Sequence, residues 1–253
     1  MGEHVARTTP TKKKRSNVFW NIVGVVGELL ITFAFVIGLF SVWQLYWTTY
    51  QVSGQVSQTI ASYEDSHQPA KRTQGEIRTD DPPAFDREVG DGEVYGIVHV
   101  PTWDWMKIPL AEGTTSYVLD QGWAGHYDMT TQPGGVGNFS VAGHRRTYGN
   151  NFRWIDRLTQ GDKVVVEVDD RYLVYSMVSS EIIDATDPTQ MRVVAPVIDD
   201  ESWSETPTER WMTMTTCHPE YGNWQRYIVH LKFESWTPKD TGVPAELVDE
   251  PTN

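Results

Sequence analysis

Residues 18–47 hold a single charged side chain, Glu28. A helix crossing the hydrocarbon of a bilayer needs about twenty apolar residues, and the run still supplies that many when counted only from Leu29. Trp43, Tyr46 and Trp47 stand at its far end like an interfacial aromatic belt, and Lys12-Lys13-Lys14-Arg15 precede it. Basic residues stay on the cytoplasmic side. A cleaved secretory signal would have a shorter apolar region followed by a small-residue cleavage site, which is not evident here. The expectation is one uncleaved span over residues 18–47, with residues 1–17 as a cytoplasmic basic tail and everything beyond outside the cell. A charge inside a span is often functional; Glu28, near the cytoplasmic end, is read as interfacial.

The formal net charge of −13 argues against general nucleic-acid binding. Residues 48–91 are rich in Ser, Gln, Thr, Pro and charge, with Asp80-Asp81-Pro82-Pro83 among them. They read as an extracellular linker, within which residues 51–63 could prolong the membrane helix by a few turns. From Gly92 the pattern changes. Strand-like runs occupy residues 94–101, 103–110, 138–142, 163–168 and 171–180, separated by turn residues. Phe152, Ile155 and Leu158 have helical spacing. Many short strands with turns between them predict an all-β barrel or sandwich with short helices. Residues 237–253, acidic and punctuated by Pro238, Pro244 and Pro251, read as a disordered tail.

The chain has one cysteine, Cys217, in WMTMTTCHPEYGNWQRYIVHLKF. Residues 211–217 and 225–233 are strand-like, and His218-Pro219-Glu220-Tyr221-Gly222-Asn223-Trp224 is a loop. Alternation makes Tyr227, Val229, Leu231 and Phe233 a core-facing row and turns Arg226 the other way. A lone cysteine is commonly a small buried hydrophobe. Outside a membrane, however, an unpaired thiol is a liability, and threonines precede this one. Its adjacent His218 points to the opposite face and is a poor base. His144, where the short strand of GNFSVAGHRR ends, is the better candidate. His126, in a glycine-rich loop, is the one other histidine worth testing; His99 and His230 lie inside strands and read as structural. A thiolate is a nucleophile that an imidazole can activate, and an always-charged guanidinium suits an oxyanion or the substrate backbone that presents it.

Thr213-Met214-Thr215-Thr216-Cys217, with Arg226 nine residues on, resembles the TLxTC…R signature of the sortases, and GNFSVAGHR resembles their histidine motif. TTCHP and GWAGHYDMT are most similar to the class E sortases of Gram-positive actinobacteria. Met214 departs from the usual leucine, a volume-conserving change. The resemblance spans residues 92–236 and implies a closed eight-stranded sortase-type barrel. It implies cleavage of a sorting signal between Thr and Gly through a cysteine thioester, with transfer to a peptidoglycan or pilin amine. It assigns Cys217 as nucleophile, His144 as acid and base, Arg226 as stabiliser of the oxyanion or substrate, and Thr216 as a peptide contact. Tyr127 would shape the pocket for a Leu-Ala-x-Thr-Gly or Leu-Pro-x-Thr-Gly signal. No cofactor is expected, and no metal-ligand spacing is present, although the acidic loop at 199–205 could hold a cation weakly. Three alternatives stay open: a hydrolytic cysteine peptidase, a pilin-polymerising sortase with a lid before its first strand, and a non-catalytic binding module.

Overall fold

The computed structural model describes residues 18–251; the basic tail of residues 1–17 and the side chain of Tyr46 lie outside the described residues. Helix α1 covers Val18–Ser66. Its segment Phe19–Trp43 is long and apolar enough to cross a membrane. The chain divides into two compact units, residues 1–44 and residues 45–253, and the second contains the last turns of α1 together with everything after them.

The second unit is built on eight strands: β1 (Val94–Val100), β2 (Met106–Glu112), β3 (Ala124–His126), β4 (Gly137–Ala142), β5 (Lys163–Val168), β6 (Arg171–Asp184), β7 (Arg210–His218) and β8 (Gln225–Pro238). They close in the order β1-β2-β3-β4-β7-β8-β6-β5. The β2/β3 and β4/β7 pairs are parallel and the others antiparallel. Alternation sorts the side chains. Val164, Val166 and Val168 on β5 and Leu173, Tyr175 and Met177 on β6 fill the interior, with Met212, Met214, Val229 and Leu231 from β7 and β8. Closure removes the sheet edges that would otherwise invite pairing with other chains. Helix α2 is a single turn, Ser116–Leu119.

Three expectations change. The helical spacing at residues 151–158 yields a 3-10 turn, Ile155–Arg157; Phe152, Ile155 and Leu158 are nonetheless buried in the core. Ala124–His126 forms a strand inside the stretch read as loop; three residues among glycines are too short to show a strand pattern. The stretches read as linker and tail both lie against the barrel. Within the linker, α1 runs to Ser66, and the hydroxyl of buried Tyr63 donates to the Tyr95 carbonyl at 3.2 Å. Beyond it, Gln74 bridges to Val243 and Arg78 to Trp236. In the tail, Val243 and Leu247 cover Val165, Tyr172 and Val174 on the outer face of β5 and β6.

The segment Asp80 to Phe85 also has a fixed place. Trp236 Nε1 donates to Asp80 at 3.1 Å, Asp81 pairs with Arg210 at 2.9 Å, and the Phe85 ring meets Tyr95. Arg210 opens β7 and Cys217 nearly closes it, so this segment sits roughly 25 Å from the cysteine at the rise of a strand.

Candidate active site

Cys217 stands at the end of β7, between two neighbouring chains. On one side its register partner across the β7/β8 pair is Arg226. On the other, parallel β4 and β7 match Ala142 with Thr215, and the match continues past the strand. Gly143 N–H donates to the Thr215 carbonyl at 3.1 Å. Thr216 Oγ1 donates to the Gly143 carbonyl at 2.6 Å, and Arg145 Nη1 donates to His218 Nδ1 at 2.8 Å. Contacts on both sides of His144 therefore bracket it opposite Cys217, on a chain about 5 Å away at ordinary strand spacing.

Alternation gives all three residues the same face. Met212 and Met214 point into the barrel, so Thr213, Thr215 and Cys217 point outward. Phe139 and Val141 point inward on β4, and Val229 and Leu231 on β8, which sends Asn138, Ser140, Ile228 and His230 outward with them. The base of this outer face is covered. Thr213 Oγ1 donates to Asn138 Oδ1 at 2.8 Å, and Ile183, Val193, Val194 and Ile228 pack over the strands, with Tyr127 and Trp203 against them. Cys217, His144 and Arg226, at the open end, are only partly buried.

Each side chain is held by nearby groups. His144 Nε2 donates to Asp120 Oδ1 at 2.8 Å, leaving its Nδ1 free of any protein partner among the described residues. Arg226 Nη1 donates to the carbonyls of Asn223 (2.7 Å) and Gln225 (2.9 Å). Its Nε and Nη2 have no acceptor among the described residues. Tyr127 reaches across to hydrogen-bond Thr215 Oγ1 at 2.9 Å. Burial pushes the Tyr127 hydroxyl above its ordinary range, and the bond to Thr215 opposes that rise. A thiol flanked by an imidazole and an anchored guanidinium can carry out nucleophilic acyl chemistry.

The remaining histidines are spoken for. His126 is fully buried, with Nδ1 on Glu112 at 2.9 Å and Nε2 on the Thr131 carbonyl at 3.0 Å; it lies inside the barrel wall, not at the mouth. His230 meets Thr213, and His99 sits between two carboxylates. Thr216, expected to meet a peptide, is 3% exposed, as is Thr215, and its hydroxyl is spent on Gly143. Thr215 is the threonine that shares the cysteine's face, as a two-residue period counted back from Cys217 indicates. Asp120 was not singled out by any motif. In the acidic loop, the Asp200 carboxylate accepts from the backbone N–H groups of Ser202, Ser204 and Glu205.

Residues 98–234 match the Sortase domain family. Over 229 residues the chain is 37% identical to Sortase SrtE1 of Streptomyces coelicolor, a match covering 88% of this chain and 60% of that protein. It is 30% identical to Sortase SrtE2 of the same organism over 223 residues, covering 86% and 84%. The chain belongs to the class E sortases.

Among solved structures, this sortase is similar to the SrtA sortase from Actinomyces oris, with a TM-score of 0.64, 43% identity, and 70% of this chain and 99% of that one covered. It is also similar to Sortase E1 from Streptomyces coelicolor, solved with a tripeptide in its active site (TM-score 0.55, 38% identity, 63% and 99% covered). The sortase thus spans less than two thirds of the length of SrtE1 itself. Sortases are cysteine transpeptidases, which agrees with a lone thiol at the end of a barrel strand.

Proposed function

We propose that this sortase is a membrane-tethered transpeptidase that cuts a sorting signal of the Leu-Ala-x-Thr-Gly or Leu-Pro-x-Thr-Gly kind between Thr and Gly. The Cys217 thiolate adds to the threonine carbonyl, and the oxyanion that develops is met by Arg226 through Nε and Nη2. Collapse expels the glycine amine, which takes its proton from His144, and leaves a thioester on Cys217. The amine of a peptidoglycan precursor then attacks the thioester. His144 accepts the proton of that amine, the Cys217 thiolate leaves, and the surface protein ends on the cell wall. Tyr127, held by its hydrogen bond to buried Thr215, lines the approach for the residues ahead of the threonine, while Thr216 acts indirectly by fixing Gly143 next to His144.

The observation that carries this reading is the register: Cys217 lies between Arg226 on β8 and the chain bearing His144 beyond β4. Phe19–Trp43 supplies the tether, with the basic tail inside and the barrel outside. A tethered catalyst meets tethered substrates at raised effective concentration. The position of Asp80 to Phe85 at the Arg210 end favours cell-wall attachment over pilin polymerisation, since that segment does not cover the cysteine.

The test is product analysis with the detergent-solubilised full chain and both peptides, with and without a small amine. Amide product formed at the expense of the free acid supports transpeptidation, and the faster peptide identifies the signal. Acid product alone, at a rate indifferent to the amine, makes the protein a peptidase instead.

A further inference from the structure

The His144 ring is held from behind by a corner of the chain that itself rests on α1. Asp120 caps α2, its backbone N–H donating to the Ser116 carbonyl at 3.0 Å, while Oδ1 accepts from His144 Nε2 at 2.8 Å. The next residue, Gln121, accepts from Gln55 Nε2 of α1 at 2.7 Å. The one after, Gly122, has φ +78°, and a Cβ built there would lie 2.9 Å from the Tyr148 carbonyl oxygen and 3.0 Å from Val56 Cγ2. Gly149, at φ +94°, adjoins it: a Cβ there would make ordinary van der Waals contact with Val52 Cγ2 at 3.4 Å and Gly122 Cα at 3.5 Å. Two glycines with left-handed backbone thus let residues 120–122 and 148–149 press together beneath Val52 and Val56. Tyr148, part of the same loop, lays its ring 5.4 Å from the His144 ring at 30°.

We propose that Asp120 is a positioning residue for His144, and that the outer turns of α1 at Val52, Gln55 and Val56 are the brace that seats it. The carboxylate holds Nε2 as the N–H of the ring, which leaves Nδ1 as the nitrogen able to exchange a proton with the thiol. The brace fixes where the ring stands, and displacement of a reacting group by about 1 Å can cost about 100-fold. Residues 52–56, which the sequence presents as a tether, are then part of the catalytic apparatus. The inference rests on His144 being the acid and base of the proposed reaction.

The experiment measures kcat and KM for the sorting peptide with the full chain in detergent. The variants are Asp120→Asn, Asp120→Ala, Val52→Ala/Val56→Ala and their combination with Asp120→Ala, with Gln58→Ala on the exposed side of the helix as control and melting temperatures recorded for all. Asp120→Ala is expected to lower kcat about 10- to 100-fold with KM within about twofold; Asp120→Asn, which keeps the acceptor and loses the charge, falls between it and wild type. The valine pair lowers kcat in the same direction, and adding it to Asp120→Ala costs little more, because both act through one ring. Gln58→Ala matches wild type. Wild-type kcat in both Asp120 variants overturns the positioning role, and fully additive losses overturn the link to the helix; in either case an active wild type leaves the Cys217 chemistry standing. A wild type inactive toward either peptide sinks the reading beneath it.

Discussion

His99 Nδ1 donates to Glu250 Oε1 at 2.8 Å although 151 residues separate the two. The other ring nitrogen donates to Glu167 at 2.8 Å, Lys239 pairs with Glu167 at 2.7 Å, and Lys107 joins Glu250 (3.1 Å) to Glu64 on α1 (2.7 Å). Burial alone would lower the His99 imidazole, but the hydrogen bonds and charges of Glu167 and Glu250 outweigh it and raise it to about 9. Burial would raise Glu167, yet His99 and Lys239 hold it down at about 2. The cluster ties the helix end, β1, β2, β5 and the tail into one unit.

Its pH dependence has a definite sign. His99 is raised in the folded state, so its contribution is complete below its ordinary 6.5 and is lost as pH climbs through about 9. Glu167 is depressed, so its contribution is complete above its ordinary 4.5 and is lost as pH falls toward about 2. Melting temperature is expected to be highest between pH 4.5 and 6.5 and to decline on either side. A melting temperature that climbs steadily from pH 7 to pH 9 would contradict the assignment.

The tail is structural, and deleting its contacts has a cost. Glu250→Gln weakens charged hydrogen bonds to His99 and Lys107 and is expected to destabilise by about 1.5–3 kcal/mol. Leu247→Ala opens the small cluster over β5 and β6, at about 2 kcal/mol or more. Urea unfolding of each variant measures both, and wild-type midpoints would show that the tail is ornamental.

This tail also shows what the sequence withheld. Its acidic, proline-punctuated composition has no periodicity, and its partners lie on β1, β2, β5 and β6, so no local pattern announces docking. The same holds for residues 67–91. β5 and β6 were legible as runs of β-branched and aromatic residues flanking a turn, although both faces of β5 are buried; β3 was not, because three residues are too short a run to read. Cys217, His144 and Arg226 stood out by type and motif. Asp120 did not, since only the fold brings the end of α2 to His144. The motif points to Thr216; the fold shows its hydroxyl on the Gly143 carbonyl, a contact that only the parallel pairing of β4 with β7 creates.

Tyr127 and Thr215 hold one another's hydroxyls, so removing either one strands the other. Thr215→Val and Tyr127→Phe are each expected to destabilise by about 1–3 kcal/mol. Denaturant midpoints check both, and a wild-type midpoint in either variant would mean that the stranded hydroxyl has another partner.

Gly143 has no room for a side chain. A Cβ there would fall 2.8 Å from the ring of fully buried Phe152, so Gly143→Ala is expected to destabilise by about 1–3 kcal/mol. It should also slow catalysis by displacing the adjoining His144. A calorimetric scan and an initial-rate assay check the two parts; unchanged values in both would mean that Phe152 can move aside.

The proposed topology places the sole cysteine outside the cell. A membrane-impermeant maleimide applied to intact cells expressing the full chain is expected to label it, and Cys217→Ala is expected to abolish the signal. Labelling only after lysis would put the barrel on the other side.

The central claim is that Cys217 carries an acyl intermediate. Intact mass spectrometry of the full chain, solubilised and mixed with a sorting peptide, tests it directly. The account expects an added mass equal to the peptide through its threonine less one water, absent in Cys217→Ala and discharged when an amine is added. No adduct with either peptide, together with a thiol that resists alkylation, would return Cys217 to a structural role and contradict the account.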